Sequence, residues 1–327
     1  MADDLRALQQ FADIVAEKIV DHKRTEELRR IVTDHQVWLQ TDGEDGRKAD
    51  LRGFNLERLN LSNLNLSGAD MRGARMAGAR IDGANLERTD LRGANLTAVR
   101  GREAQLNGAN LDGARLVDTR LRGANLEQAT LREAVAHGGR FTDVRMGQAD
   151  LSNADLGAAD FSGADGREAA FDGARMYGVR AVGADFSEAL FQDRGGQRVD
   201  LRKADLRSVV LEEASMRGAN LGEADLTNAR LARASAAGTN LHHANLENTD
   251  MREIRARGAV LAGAEAPGRR GPDLTGADLR ESNLAGSRLA GARLEGAKLE
   301  GASHEGAKLP RAVELPERGR TLPGLEH

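Results

Sequence analysis

Several residue types that usually build or equip a globular protein are scarce in this chain of 327 residues. It contains no cysteine, which excludes disulfide bonds, thiolate nucleophiles and cysteine-ligated metal sites. Aromatic residues make up only 3% of the sequence, with one Trp and one Tyr. A conventional globular core of this size would need more large side chains.

Long apolar runs and recognisable catalytic motifs are also missing. No stretch of apolar residues is long enough to span a membrane, and the acidic start "MADDLRALQQ" lacks the plan of a signal peptide. We therefore expect a cytoplasmic protein. Phosphate-binding loops, nucleophile elbows and zinc-protease motifs do not occur, and the adjacent His242 and His243 have no spaced acidic partners. The expectation is a chain without a cofactor, a metal or an enzymatic activity.

What the chain does contain is a repeat of five residues. From Leu51 to Ala266 every fifth position, here called a centre, is almost always a large apolar residue. The residue two before a centre is small, usually Ala, and the residue two after it is often Gly. A period of five fits neither a helix nor a strand. It indicates a coil that turns a corner every five residues, with the centre and the small residue pointing inward. Gly166 occupies a centre, so we expect Met146 and Phe186 to lean into the gap.

The pattern A-(D/N)-L-x-x, as in "ADLSNADLGAADFSGAD" at 149–165, resembles the pentapeptide repeat family. The resemblance covers most of the chain and implies an all-β solenoid, a right-handed quadrilateral β-helix with four repeats per coil. Stacked coils at sheet spacing of about 4.8 Å would make a rod.

Interruptions of the repeat suggest five segments. We expect a helical N-terminal cap or oligomerisation segment at 1–46 and a main β-helix of about eleven coils at 47–266. A loop at 267–273, two further coils at 274–309 and a tail at 310–327 follow, and the tail ends in what looks like a purification-tag remnant. The degenerate repeat "FQDRGGQRV" at 191–199 keeps the five-residue count and predicts a local bulge, and a slip of register there would change the faces assigned to all later residues. The candidate contact loops contain Arg194, Gly195, Gly196, Arg269 and Arg270.

The N-terminal segment shows helical periodicity. Leu5, Leu8 and Phe11 lie three residues apart, and an apolar pattern continues through Leu28 to Val32. We expect these helices to cover the open end of the solenoid, and pairing with a second copy into a homodimer is the alternative. Thr33 and Gln36 predict a capping box that starts a short turn.

Stacking centres twenty residues apart divides the charges among four faces. Two adjacent faces come out acidic and two basic, although the formal net charge is only −4. The predicted acidic binding side contains Asp150, Asp165, Glu168, Asp172, Asp185, Glu188, Asp205, Glu212, Glu213 and Asp225. The predicted basic side includes Arg100, Arg102, Arg120, Arg122, Arg175, Arg180 and Arg198.

A filled rod without a cleft predicts a non-enzymatic scaffold that binds a protein partner. The family resemblance implies an alternative, because some members protect DNA gyrase or topoisomerase IV from antibiotics by imitating DNA. With a near-neutral total charge, such DNA mimicry would have to be local here. A type II topoisomerase is therefore the alternative partner, with antibiotic resistance as the outcome. A membrane is not an expected partner, and direct binding of a nucleic acid through the basic side is the least favoured alternative.

Overall fold

The computed structural model of the protein describes residues 22–193, 196–268 and 270–310. Each five-residue repeat forms one flat segment and one turn. At the first repeat the amide of Phe54 donates to the carbonyl of Leu51 over 3.0 Å. Gly53, between them, has a φ of 62°, which a type II turn requires. This explains the frequent glycine two residues after a centre.

Successive coils stack through parallel bridges between residues twenty positions apart. Asp50 bridges Asp70, and Asp70 in turn bridges Asp90. Three other columns of bridged residues run beside this one. We name the four faces A, B, C and D, and their first bridge residues are Asp50, Asn55, Asn60 and Asn65. This arrangement agrees with the predicted coil of four repeats. The right-handed winding stays a prediction from the family resemblance.

The interior is filled along its length. Centres such as Leu86 and Leu106, and small residues such as Ala84, have no exposed surface. One residue before the centre, Asn or Asp accepts a hydrogen bond from the amide two residues later, as Asn55 Oδ1 does from Glu57 over 3.1 Å. Such bonds are typical of turns and explain why Asn and Asp are frequent there. Each pentapeptide thus supplies its own core residues, one bridge residue and one turn.

One coil breaks the twenty-residue spacing and corrects the predicted faces. Ala170 bridges Leu190, but Arg175 bridges Asp200 and Asp185 bridges Val210. The predicted bulge at 191–199 therefore does not keep the count. Five residues leave the coil, and every later residue lies one face back from its predicted place.

Helix α1, His22–Gln40, covers the first coil. Leu28 and Val32 are buried against the core, and the side-chain amide of Gln36 donates to the carbonyl of Asn65 over 2.7 Å. The predicted capping box is wrong, because the helix continues through Thr33 and Gln36 binds the solenoid instead. The expected dimer through this region stays a prediction, and residues 1–21 lie outside the described part of the chain.

His35 anchors the helix to the solenoid. Its side chain is fully buried, and Nδ1 accepts a hydrogen bond from the amide of Ala49 over 3.2 Å. Burial, aided by the charge of Lys48, lowers the pKa of His35 to about 4. The imidazole is therefore neutral at pH 7, as an acceptor inside this junction must be.

A second loop follows Ala266, after which bridging resumes with Asp250 to Asp273. The bridges then continue to the pair Arg288 and Lys308. These coils occupy the stretch predicted at 274–309. The predicted tail from 311 onward lies outside the described residues.

The glycine centre at 166 is filled by its neighbours. A Cβ atom built on Gly166 would lie 2.6 Å from the Phe186 ring and 3.4 Å from Cγ of Met146. Phe186 also contacts the ring of Phe171, with centroids 5.3 Å apart. The side chains above and below therefore occupy the space, as expected, and the position has no opening to solvent.

Candidate interaction surface

Most aspartates on the flat faces are neutralised within their own repeat. Asp165 receives two hydrogen bonds from the Arg167 guanidinium, at 2.8 and 2.7 Å. These bonds hold the pKa of Asp165 below its usual range. The same Asp-x-Arg pair occurs at Asp50–Arg52, Asp70–Arg72, Asp90–Arg92, Asp200–Arg202, Asp205–Arg207, Asp250–Arg252 and Asp278–Arg280. Carboxylates at this position therefore carry less free negative charge than the sequence count indicated.

The register shift divides the predicted acidic side. Asp165 and Asp185 stack on face D, but Asp205 and Asp225 continue the column of Arg180 on face C. Asp205 contacts Arg180 at 3.3 Å as well as its own Arg207. These two aspartates therefore belong to a face that was predicted to be basic.

The same shift brings three glutamates into line. Glu168, Glu188 and Glu213 each lie two residues after a face D centre, in three successive coils. All three are exposed and have a φ near 60°. We call them the acidic corner. Although a positive φ favours glycine, this corner of face D has a non-glycine residue in every coil from Gln128 to Glu253.

Contacts in the acidic corner leave its middle free. Oε2 of Glu168 accepts a hydrogen bond from the side-chain Nε2 of Gln148 over 3.1 Å, and Glu213 pairs with Arg233 at 2.8 Å. Glu188 has no ion-pair partner among the described residues. Nearby, Asp185 accepts a hydrogen bond from the Ser187 hydroxyl over 2.6 Å and forms no direct ion pair among the described residues. The result is a short line of negative charge along one edge of the rod.

The remaining residues of the predicted acidic side, Glu212, Asp150 and Asp172, are each engaged in a hydrogen bond or an ion pair. Glu212 is half-buried and pairs with Arg230 at 2.7 Å. Asp150, on face A, accepts from the amide of Ser152 over 2.9 Å. Asp172 lies at the far corner of face A, where it accepts from the amide of Gln192 over 3.0 Å.

The two candidate loops do not share a surface. The first leaves the coil between Phe191 on face A and Val199 on face B, and contains the exposed Gly196. The second lies between Ala266 on face C and Asp273 on face D, and contains the exposed Arg270. They therefore lie at diagonally opposite corners of the coil. Arg194, Gly195 and Arg269 lie outside the described residues.

A chain of amides that leads into the acidic corner was not anticipated from the sequence. Nε2 of Gln128 donates to Oε1 of Gln148 over 3.1 Å, and Gln148 in turn donates to Glu168. The available signal was the run of non-glycine residues two after the face D centres. This run orders the side chain of Glu168 before any partner binds.

The described residues offer little for metal or membrane chemistry. Within them, no group of three or more His, Asp or Glu side chains is placed to hold a metal ion. Nδ1 of His242 lies 2.8 Å from the carbonyl oxygen of Ala262, and Nδ1 of His243 lies 3.2 Å from that of Gly263. A search of the same residues found no helix with the length and apolar character of a membrane span.

Comparison with known proteins identifies the repeat. A model of pentapeptide repeats matches eight times, at residues 47–78, 79–116, 109–148, 149–188, 197–231, 214–252, 239–266 and 270–312. The chain belongs to the pentapeptide repeat family. Between the first and last match only residues 189–196 and 267–269 are left out, and each stretch overlaps one of the two loops. Pentapeptide repeat proteins fold as solenoids of this kind, and the loops are additions to the family pattern.

Solved pentapeptide repeat proteins resemble this chain. One is HetL, involved in heterocyst differentiation regulation in the cyanobacterium Nostoc sp. strain PCC 7120, at 26% identity over 84% of this chain and 96% of that one, with a TM-score of 0.27. A second is a form of QnrB1, a plasmid-mediated fluoroquinolone resistance protein, at 18% identity over 71% and 86%, with a TM-score of 0.33. A third, from the Arabidopsis thaliana thylakoid lumen, has 26% identity over 36% and 71%, with a TM-score of 0.17. Among curated proteins, none matches the sequence.

Proposed function

We propose that this pentapeptide repeat protein is a non-enzymatic rod that binds another protein through its acidic corner. The observation that supports the proposal is a line of exposed carboxylates at Glu168, Glu188 and Glu213, of which Glu213 alone is paired with an arginine, on a rod that pairs many of its aspartates with arginines. A regular solenoid is well suited to such contacts because it holds each side chain at a fixed spacing. The partner then presents a basic surface to this edge.

Affinity capture with a matched control tests this proposal. Wild-type protein, the variant E168Q/E188Q/E213Q and the control E57Q/E223Q/E247Q would be used to capture partners from the source cell, with quantification by mass spectrometry. Both triple variants lose three negative charges, so net charge is matched. We expect a partner that wild type and control retain and the acidic-corner variant loses. Equal retention by all three proteins would refute the assignment.

A second candidate function is protection of a type II topoisomerase. The acidic corner favours it, because carboxylates about 4.8 Å apart form a line of negative charge along the rod axis. Duplex DNA carries one charge per about 1.7 Å of axis, which is much denser. DNA mimicry by this protein would therefore be confined to the acidic corner.

A gyrase supercoiling assay, with and without a fluoroquinolone, tests the second candidate. Protection predicts that wild-type protein restores supercoiling in the presence of the drug, and that E168Q/E188Q/E213Q restores less. A wild-type protein that neither inhibits gyrase nor rescues it would eliminate topoisomerase protection. That result would leave the general protein-binding proposal to the capture experiment.

A further inference from the structure

A second line of like charges lies on face C. Arg100, Arg120 and Arg140 are the middle residues of this face in three successive coils, and parallel bridges join each to the next. They continue the column from Arg80, which differs from them because it pairs with Asp82 at 3.2 Å. Their Cα atoms therefore repeat at about 4.8 Å along the rod. All three side chains are exposed. We call these residues the arginine ladder.

The arginine ladder departs from the pairing used elsewhere on the rod. None of its three side chains forms an ion pair or hydrogen bond among the described residues. Where other repeats have Asp-x-Arg, the first two rungs have Arg-x-Arg, which adds Arg102 and Arg122 at the corner. These two side chains are 71% and 70% exposed, and each forms one ion pair, Arg102 with Glu103 and Arg122 with Asp143. Like charges next to each other on a sheet destabilise it, so folding does not account for the ladder.

The surroundings of the ladder restrict what it can bind. Guanidinium groups form paired hydrogen bonds with phosphate or carboxylate oxygens. Single-stranded nucleic acids are usually held by stacking on aromatic rings. Among the described aromatic side chains, Tyr177 alone is largely exposed, and it lies under Arg202 rather than beside the ladder. The ligand is therefore an anion with regularly spaced charges, bound without base stacking.

Charge spacing decides between a phosphate backbone and an acidic peptide. The three rungs extend over about 10 Å of the rod. Duplex DNA carries one charge per about 1.7 Å of axis, so about six phosphates of its two strands lie along that length. An extended peptide presents a side chain to one face only every 6.6 Å or so, which places about two carboxylates there. Three unpaired cations fit the phosphate backbone better.

We propose that the arginine ladder binds the phosphodiester backbone of duplex nucleic acid, with no preference for base sequence. Arg100, Arg120 and Arg140 contact the phosphates, and Arg102 and Arg122 add to the attraction at the edge. The acidic corner begins one coil beyond Arg140, on a different edge of the rod. It limits the bound length to the part of the rod that contains the ladder.

Fluorescence anisotropy with a labelled duplex of random sequence tests this proposal. The variant R100Q/R120Q/R140Q would be compared with the control R52Q/R72Q/R92Q, which removes three arginines from successive coils of face A. Both variants change the net charge equally, and circular dichroism verifies that both are folded. For wild type we expect log affinity to fall with log salt at a slope of about −2.7, since three phosphates are neutralised. The ladder variant should lose at least about tenfold in affinity and most of that slope, and the control less than about twofold.

Three results would overturn the proposal. Wild-type protein could fail to bind the duplex at low salt. The ladder variant and the control variant could lose affinity equally, which would show that the affinity depends on net charge and not on the position of the arginines. Poly-glutamate could displace the duplex at a lower concentration of charge than a second duplex does, which would assign the ladder to an acidic protein.

Discussion

The arginine ladder and the acidic corner are built in the same way and differ in how the sequence encodes them. Each places one charge per coil in three successive coils. Arg100, Arg120 and Arg140 are spaced by twenty residues, whereas the step from Glu188 to Glu213 contains the five extra residues of the first loop. The faces on which charged residues of a solenoid lie can therefore be predicted from their spacing in the sequence only up to the first residues that leave the coil.

The cores beneath the two charged lines are also comparable. Gly101 lies beneath the first rung of the ladder, where an added Cβ would be 2.7 Å from Ile81 and 2.8 Å from Leu121. Gly166 lies beneath the first residue of the acidic corner and is filled by the Phe186 ring. Aliphatic side chains close the first gap and an aromatic cluster closes the second. The core below the acidic corner is therefore built from larger side chains than the core below the ladder.

The largest effect is expected from a direct test of the register. In D185C/V210C, the two cysteines lie one coil apart in the same column, at about 4.8 Å, within the range that a disulfide spans. We expect this variant to cross-link on oxidation, as seen by mobility without reductant. The control D185C/D205C places its cysteines on different faces and should remain uncross-linked. Cross-linking of the control alone would show that the coil keeps twenty residues.

The aromatic cluster should be the more sensitive of the two cores. Phe171 stacks on Phe191 with ring centroids 4.8 Å apart and contacts Phe186 from the side. We expect Phe171→Ala to lower the free energy of unfolding by about 3–5 kcal/mol, measured by urea denaturation. The matched change Leu121→Ala, below the arginine ladder, should cost about 2–4 kcal/mol. A larger loss for Leu121→Ala would reverse the comparison of the cores.

Filling the glycine gap should be harmful because it is already occupied. Gly166→Leu would force its side chain against the Phe186 ring, and we expect a loss of about 1–3 kcal/mol in the free energy of unfolding. Urea denaturation of the two proteins measures it. An increase in stability would mean that the space beneath the acidic corner is empty.

The smallest effect is expected at the surface of the arginine ladder. Arg120→Asp would place a carboxylate between Arg100 and Arg140 and create an Asp-x-Arg pair with Arg122. Removing like-charge repulsion should stabilise the protein by about 0.2–1 kcal/mol, measured as a shift in the urea midpoint. The control Arg115→Asp, on face B, lacks ladder neighbours and should change stability less. Equal shifts would indicate that the ladder arginines do not repel one another.

Much of the fold could be predicted because each pentapeptide contains its own structural instructions. The centre and the small residue fill the core, Asn or Asp closes the turn, and glycine takes the positive φ at residues such as Gly53. The helix over the first coil could be predicted from apolar spacing. Its continuation through Thr33 could not, because the bond from Gln36 to Asn65 is a contact distant in sequence.

The candidate site was predicted only in part, for two physical reasons. Whether "FQDRGGQRV" stays in the coil depends on the balance between core burial and loop formation, and the five-residue period does not contain that balance. Because five residues leave the coil there, Asp205 lies on face C instead of the predicted acidic side, and Glu213 lies in the acidic corner. The Asp-x-Arg pairs were hidden because charge counting by face takes no account of which charges touch.

The coil of twenty-five residues has a wider consequence for rods of this design. Five added residues that leave the coil change only a loop, but five that join it would rotate every later side chain by a quarter turn. A change in length of one coil would then turn all later side chains to a different face of the rod without any substitution among them. In such a protein the face on which a side chain lies depends on the number of residues inserted into the coils before it, and not only on its position in the chain.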